Sequence, residues 1–301
     1  MAELKFREIE LRDKSRADEL LRCSDFRGCE YTFGNNFVWS NEYNVEVCFA
    51  EEMYFLKRGS GDSIGFVYPA GRGNVQTAVE LLSEYATENG FPLRISANAE
   101  ITRKITNLYP EASAELNRDL CDYVYLAEDL VNLSGRKYHA KRNHLSRFYE
   151  NDWSFEPLTA DNINECLEMN NAWAEQSIDY SNPNDVRDKC DELQVVVRSL
   201  KNFEQLGYIG GVIRVNGKVN AYTFGEPSSA DCFVVHVEKA LRDFQGTYAA
   251  INREFVKFLG GKYKYINREE DTGSENLRKA KLSYHPVFLE EKYNITFGGK
   301  P

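Results

Sequence analysis

Two side chains able to move protons, His236 and Glu238, stand two residues apart at the end of the apolar run Cys232-Phe233-Val234-Val235. On an extended strand that spacing puts both on one face. A carboxylate or an imidazole there suits removal of a proton from an attacking amine or hydroxyl. Gly246 and Thr247 follow, and from Tyr248 the apolar residues Ile251, Phe255 and Phe258 recur at helical spacing, the stripe of a helix lying on a sheet. A helix that opens at a glycine just after a strand offers free backbone N–H groups and a positive dipole end to a phosphate. Arg268, Glu269 and Asp271 come after the next predicted strand, Lys262 to Ile266, and Arg278 and Lys281 lie on a short basic helix. An arginine fork and a lysine point charge suit a phosphate or a developing oxyanion. Each of these residues also has a plainer reading. Glu238 serves equally as a salt-bridged carboxylate, His236 as a hydrogen-bonded core imidazole, and Lys281 and Arg278 as a solvated basic face.

Between residues 136 and 147 Arg136, Lys137, His139, Lys141, Arg142, His144 and Arg147 crowd together. On a helix Lys137, Lys141 and His144 share one face, while Tyr138, Leu145 and Tyr149 share another. That pattern fits a solvated linker helix or a patch, with Lys141 and Arg142 in it, for the phosphates of tRNA or of a cofactor. The formal charge of −10 argues against a general nucleic-acid-binding surface and leaves room for this local one. There is no GxSxG, and the four histidines form no HExxH zinc pattern. Seven scattered cysteines without a CxxC pair are expected to be reduced thiols, and no metal site is expected. No apolar run nears the roughly 20 residues of a membrane helix, and the N-terminus lacks a signal-peptide pattern. A cytoplasmic protein with no integral membrane segment and no tightly bound cofactor is the expectation.

The elements that would position these residues come in the same order twice. The first half reads as a helical stretch over 4–30, strands at Phe37-Val38-Trp39, Val45–Phe49 and Met53–Leu56, and then a strand at Ile64–Tyr68. Gly71-Arg72-Gly73, a helix carrying Val75, Val79, Leu82 and Tyr85, a strand at Leu93–Ile95 and a short helix at Ile101–Leu108 follow, and Tyr123–Leu126 closes the half. The second half has helices near 163–173 and 186–203 and a hairpin across Asn216-Gly217. The unit from Cys232 to Ile266, a short helix at Glu275–Leu282 and last strands within Val287–Phe297 complete it. This predicts an α/β (α+β) chain of two tandem acyl-CoA N-acetyltransferase-like domains, 1–150 and 151–301, with mixed, largely antiparallel sheets. A single larger α/β sheet is the alternative.

Three segments carry a resemblance: His236-Val237-Glu238 with Gly246-Thr247-Tyr248 and Ile251–Phe255; Ile266-Asn267-Arg268-Glu269-Glu270-Asp271 with Leu277–Pro286; and Lys137-Tyr138-His139 with Lys141–His144. They resemble a bacterial family similar to the C-terminal domain of phosphatidylglycerol lysyltransferase, related to the Fem-type enzymes. The resemblance covers most of the chain. It implies a pair of N-acetyltransferase-like domains that pass an aminoacyl or acyl group, from charged tRNA or acyl-CoA, to an amine or hydroxyl acceptor. The leucine–lysine–proline pattern of Leu277, Lys281 and Pro286 is similar to that of the relatives and implies that Lys281 faces the reacting group. Two departures stand out: the membrane-embedded region of the lipid-modifying enzymes has no counterpart here, and only Gly246 remains of a two-glycine acyl-CoA loop. A non-catalytic sensor or binding module for a small anion or carrier is the alternative on the same fold.

Overall fold

Alternating apolar strands and turn residues that require positive φ organise the chain into two mixed seven-stranded sheets in a computed structural model describing residues 3–298. The strands are β1 (Arg7–Glu8), β2 (Glu46–Ala50), β3 (Met53–Arg58), β4 (Gly65–Gly71), β5 (Arg94–Asn98), β6 (Ala112–Leu116) and β7 (Asp122–Leu126). They continue with β8 (Trp153–Pro157), β9 (Ile209–Val215), β10 (Lys218–Pro227), β11 (Cys232–Ala240), β12 (Tyr265–Asn267), β13 (Phe288–Glu290) and β14 (Lys292–Phe297). The first sheet runs β1-β2-β3-β4-β5-β14-β6 and the second β13-β7-β12-β11-β10-β9-β8. Most pairings are antiparallel. The parallel ones, β4 with β5 and β11 with β12, are bridged by the helices Val75–Glu88 and Thr247–Phe258.

Hairpin chemistry is local and was readable. Asn216 and Gly217 take φ of 51° and 77° between β9 and β10, the twist a two-residue hairpin needs. The short basic helix spans Glu275–Leu282 as expected, and the second-half helices run Ile163–Ser177 and Pro183–Lys201.

Several expectations need correction. The helical stretch over 4–30 is reduced to Lys14–Ser24, with β1 ahead of it. Phe37-Val38-Trp39 is not a strand, because Phe33–Val38 is a helix whose Phe33 and Phe37 stack at 6.1 Å. A short apolar run has no period of its own, so packing decides it. β6 and β8 carried no expectation. Tyr123–Leu126 does not close the first sheet: β7 pairs with β12 and β13 in the second, while β14 inserts between β5 and β6 in the first. Each sheet therefore holds a strand from the other half, and a cut at residue 150 does not separate the two sheets.

One core joins the sheets. Phe33, Tyr54 and Val67 from the first half pack with Leu206, Val212, Tyr222 and Phe224 from the second. Burying each such side chain contributes about 1.5–3 kcal/mol. Among the described residues no helix is long and apolar enough to cross a membrane, and all seven cysteines are free thiols.

Candidate functional site

β11 and β12 pair only over Cys232–Val234 and Tyr265–Asn267, and then they diverge. In open α/β sheets such a gap at the carboxyl ends of parallel strands is where ligands are held. Here the gap is filled by charge. From β11 come His236 and Glu238, but not from one face as their spacing predicted. The register against β10 is irregular between Phe224 and Gly225, which leaves His236 unpaired and turns it toward Glu226 and the Tyr208 ring, while Glu238, opposite Thr223, faces Asn252. From the loop after β12 come Arg268 and Glu269, turned inward where Glu269 takes a φ of 57° and the Asn267 side chain accepts its N–H at 2.7 Å. Arg268 Nη2 donates to Glu238 Oε1 at 2.8 Å, and Asn252, on the crossover helix, donates to Glu238 Oε2 at 3.1 Å. Arg268 Nη1 is buried and has no acceptor among the described residues. The pair is largely withdrawn from solvent, with side chains 13% and 11% exposed.

His236 is clamped. Its Nδ1 donates to Glu269 Oε1 at 2.8 Å and its Nε2 to Glu226 Oε1 at 3.1 Å. Burial alone would depress the imidazole, but the two carboxylates outweigh it and raise it to about 9, so the ring is an imidazolium at neutral pH. A residue held charged between two acids is a poor general base. The room for this clamp comes from Gly34, where an added Cβ would lie 2.4 Å from Glu226 Oε1.

Lys281 reaches into the cluster from the helix 275–282. Its Nζ donates to the backbone carbonyl of Arg268 at 2.6 Å and also to that of Glu270. It is buried, and burial, with the Arg268 charge, lowers its pKa. The ammonium thus holds the 268–270 loop in shape. Tyr125, on β7, donates to the Lys281 carbonyl at 2.8 Å, so an exchanged strand braces this helix.

Lys141, on the helix His139–Phe148, is the other cation of the cluster. Its Nζ lies 3.7 Å from the centre of the Tyr284 ring, and the Arg268 guanidinium lies 4.7 Å from the same ring. Burial first, and the Arg268 charge second, lower the amine to about 8, with Glu238 working against them. Of the sequence candidates, the structure thus brings Glu238, Arg268, Lys281 and Lys141 together, with His236 joined to them through Glu269.

The remaining candidates lie apart. Arg278 forks onto Asp271 with two 2.8 Å bonds and reaches Asp119 at 2.7 Å, and its hydrogen bonds hold the Asp271 carboxyl well below the usual range. That is a brace for the turn before the helix. Arg142 donates to the carbonyls of Leu133 and Gly135. Thr247 is buried and donates to the Phe244 carbonyl at 2.8 Å. Gly246 has a φ of 93°, and an added Cβ would stand 2.2 Å from the His144 carbonyl oxygen. The loop is closed on that side by an acceptor rather than left open to an anion.

Sequence reasoning missed a second ionic cluster beside the first. Lys292 on β14 places its Nζ 2.7 Å from Asp122 Oδ1, 2.9 Å from Glu30 Oε2 and 3.2 Å from Cys29 Sγ. Cys29, Glu30 and Asp122 could together hold a cation, and the lysine ammonium stands among them. Glu270 is raised to about 7, by burial first, with Asp122 and Glu269 adding and Lys292 opposing. Its members are separated by up to 263 positions in sequence, so no motif announces them. An apolar recess of about 230 Å³ lined by Val131, Val256, Leu259 and Ile266 contains none of these charges.

Comparison with known proteins bears on the fold and the family. A conserved protein of unknown function from Bacteroides thetaiotaomicron is 35% identical, with 98% of this chain and 99% of that one covered at a TM-score of 0.91. The structure of L-PGS from Bacillus licheniformis shares the fold at 11% identity, covering 88% of this chain and 91% of that one at a TM-score of 0.63. An uncharacterized protein of Mycoplasmoides gallisepticum is 22% identical over 185 residues, 58% of this chain, which thus spans only 55% of that curated relative. The mixed α/β architecture with largely antiparallel sheets is the fold class that the repeated elements predicted. The family described as phosphatidylglycerol lysyltransferase, C-terminal, matches residues 21–296, and the chain belongs to that family.

Proposed function

We propose that the protein transfers an aminoacyl or acyl group from an activated donor to an amine or hydroxyl acceptor at the cluster between β11, β12 and the helix 275–282. The observation that carries this reading is Arg268 Nη1, a buried guanidinium N–H with no acceptor among the described residues. A preorganised, desolvated donor of this kind stabilises the oxyanion that forms when an ester or thioester carbonyl is attacked. Glu238 is the base that receives the acceptor's proton, since each of its engaged oxygens keeps a further lone pair. Lys281 acts as a positioning residue that fixes the backbone carrying Arg268, and His236 holds Glu226 and Glu269 in the same way. Family membership supports the reaction class.

For the donor, the closed side of Gly246 weighs against a pyrophosphate seated there and so against acyl-CoA in the usual pose. The exposed Arg136, Lys137, His139, His144 and Arg147 favour a donor carried on tRNA. A second reading, a binding module without turnover, draws on the fact that Glu238 and Lys281 are already committed to protein partners. The test is loss of labelled aminoacyl ester from charged tRNA, and of acetyl groups from acetyl-CoA, with amine and hydroxyl acceptors including phosphatidylglycerol vesicles. Acceptor-dependent transfer that falls on the order of a hundredfold in Arg268→Ala supports the reading. Saturable thermal stabilisation by a donor without transfer would establish the module instead.

A further inference from the structure

We infer that the Lys141 amine is a nucleophilic acyl acceptor, a site at which activated esters or thioesters of small carboxylic or amino acids leave their acyl group on the protein itself. Its helix is firmly seated. Leu145 and Phe148 are buried and fix the helix 139–148 against the second sheet, and Tyr138 is buried just before it. Basic neighbours on this segment are tied down: Lys137 to Asp129 at 3.4 Å, and Arg142 to two backbone carbonyls. The fully buried lysines, unlike the half-buried Lys141, have oxygen partners too, Lys239 with Glu192, Lys281 with two carbonyls and Lys292 with Asp122. Lys141 has neither a carboxylate partner nor an acceptor among the described residues; its Nζ rests on the Tyr284 ring instead.

A lysine withdrawn from water beside a second cation is the setting in which an amine becomes a nucleophile at neutral pH. The second cation is Arg268, on the same ring, and its Nη1 lacks an acceptor among the described residues. Nucleophile and oxyanion donor are therefore held by one aromatic platform. In the step, the free amine attacks the carbonyl carbon and an N–C bond forms. The C–O bond of the ester, or the C–S bond of the thioester, breaks, and the alcohol or thiol leaves with the proton lost by nitrogen. The product is a neutral amide. It removes one cation from the cluster and sets an acyl group at its mouth, so acylation closes the site to other ligands.

The groups facing Lys141 are Arg268, Glu238 and Tyr284, whose phenol burial raises to about 12; Lys137 and His144 are its neighbours along the same segment. An amine titrating at about 8 has a free-base fraction at pH 7 on the order of a hundred times that of an ordinary lysine. The inference uses the cluster assigned above to transfer, but its test needs no turnover.

The experiment treats the folded protein with substoichiometric N-succinimidyl acetate at pH 7 and pH 9 and maps acetylated lysines by peptide mass spectrometry. Lys141 is expected to be acetylated about tenfold faster than the exposed Lys262 and Lys279 at pH 7, with the preference shrinking at pH 9. Lys141→Arg should remove that signal alone. Arg268→Gln, with its fold checked by circular dichroism, should slow labelling of Lys141. Labelling of Lys141 no faster than Lys279 in folded protein overturns the inference, as does a preference that persists in urea. Absence of donor turnover would sink the transfer reading and leave preferential labelling intact, whereas absence of preferential labelling would leave turnover untouched.

Discussion

The chain builds one strand–helix–strand unit twice, β4 to β5 around the helix 75–88 and β11 to β12 around the helix 247–258, and fills the two differently. In both, the parallel strands pair briefly and separate. At the first, Phe66, Tyr68, Ile95 and Leu82 belong to one apolar cluster, and the helix is capped by Asn74, whose side chain accepts the Thr77 N–H at 2.9 Å. At the second, His236, Glu238, Arg268 and Lys281 occupy the gap, and the helix starts at Gly246 with no side-chain cap. Removing charges from water costs several kcal/mol per ion, so a fold assembled for stability alone has no reason to do it where hydrocarbon fits. Perturbed charges concentrated at one of two equivalent places single out the second unit as the candidate working half.

The comparison breaks most readily at the ion pair. Arg268→Ala leaves Glu238 buried without its cation and should cost about 3–5 kcal/mol of stability; urea denaturation gives the loss, and transfer by the surviving folded fraction should fall about a hundredfold. Phe66→Ala in the first unit should cost a similar ~3–5 kcal/mol, yet the folded fraction should keep its full transfer rate. A comparable loss of specific activity in both variants would show that the two units do not divide the labour.

A pH series sharpens the same contrast. The His236 imidazole is raised in the folded protein from 6.5 to about 9. Its contribution is thus fully present below pH 6.5 and is lost as pH rises through 9, a span worth about 3 kcal/mol. Relative to His236→Gln, the wild type should show its largest stability advantage at acidic pH and lose it by about pH 9 to 10; an advantage that grows with pH would refute the charged clamp. The smallest effect lies back in the first unit, where Asn74→Ala removes a helix cap and should lower stability by about 1 kcal/mol with no change in activity.

What the sequence discloses follows the range of each interaction. The Asn216-Gly217 hairpin and the helix 275–282 depend on near neighbours and were legible; the expected shared face of His236 and Glu238 was not, because the irregular register against β10 breaks the strand alternation between them. Arg268 was a candidate by its place in the loop after a predicted strand, but its inward turn was not legible, because that rests on a positive φ at Glu269 and on Asn267. Glu226 as a partner of His236 comes from the adjacent strand, and nothing in its own segment distinguishes it from a surface acid. The placement of β7 and β14 was illegible because apolar alternation tells a strand which face to bury and not which sheet to join. Lys292 and Asp122 followed that error, since their contact exists only once the exchange has been made.

The exchanged strands also set a timetable. On the ribosome β6 is synthesised long before β14 can lie beside it, and β7 before β11, β12 or β13 exist. Until residues 292–297 have been made, the nascent first half carries strand edges with no partner, a state prone to pairing with other chains. Neither half can be completed while the other is still being translated. The protein is expected to become native late and all at once, and to lean on chaperones in the interval.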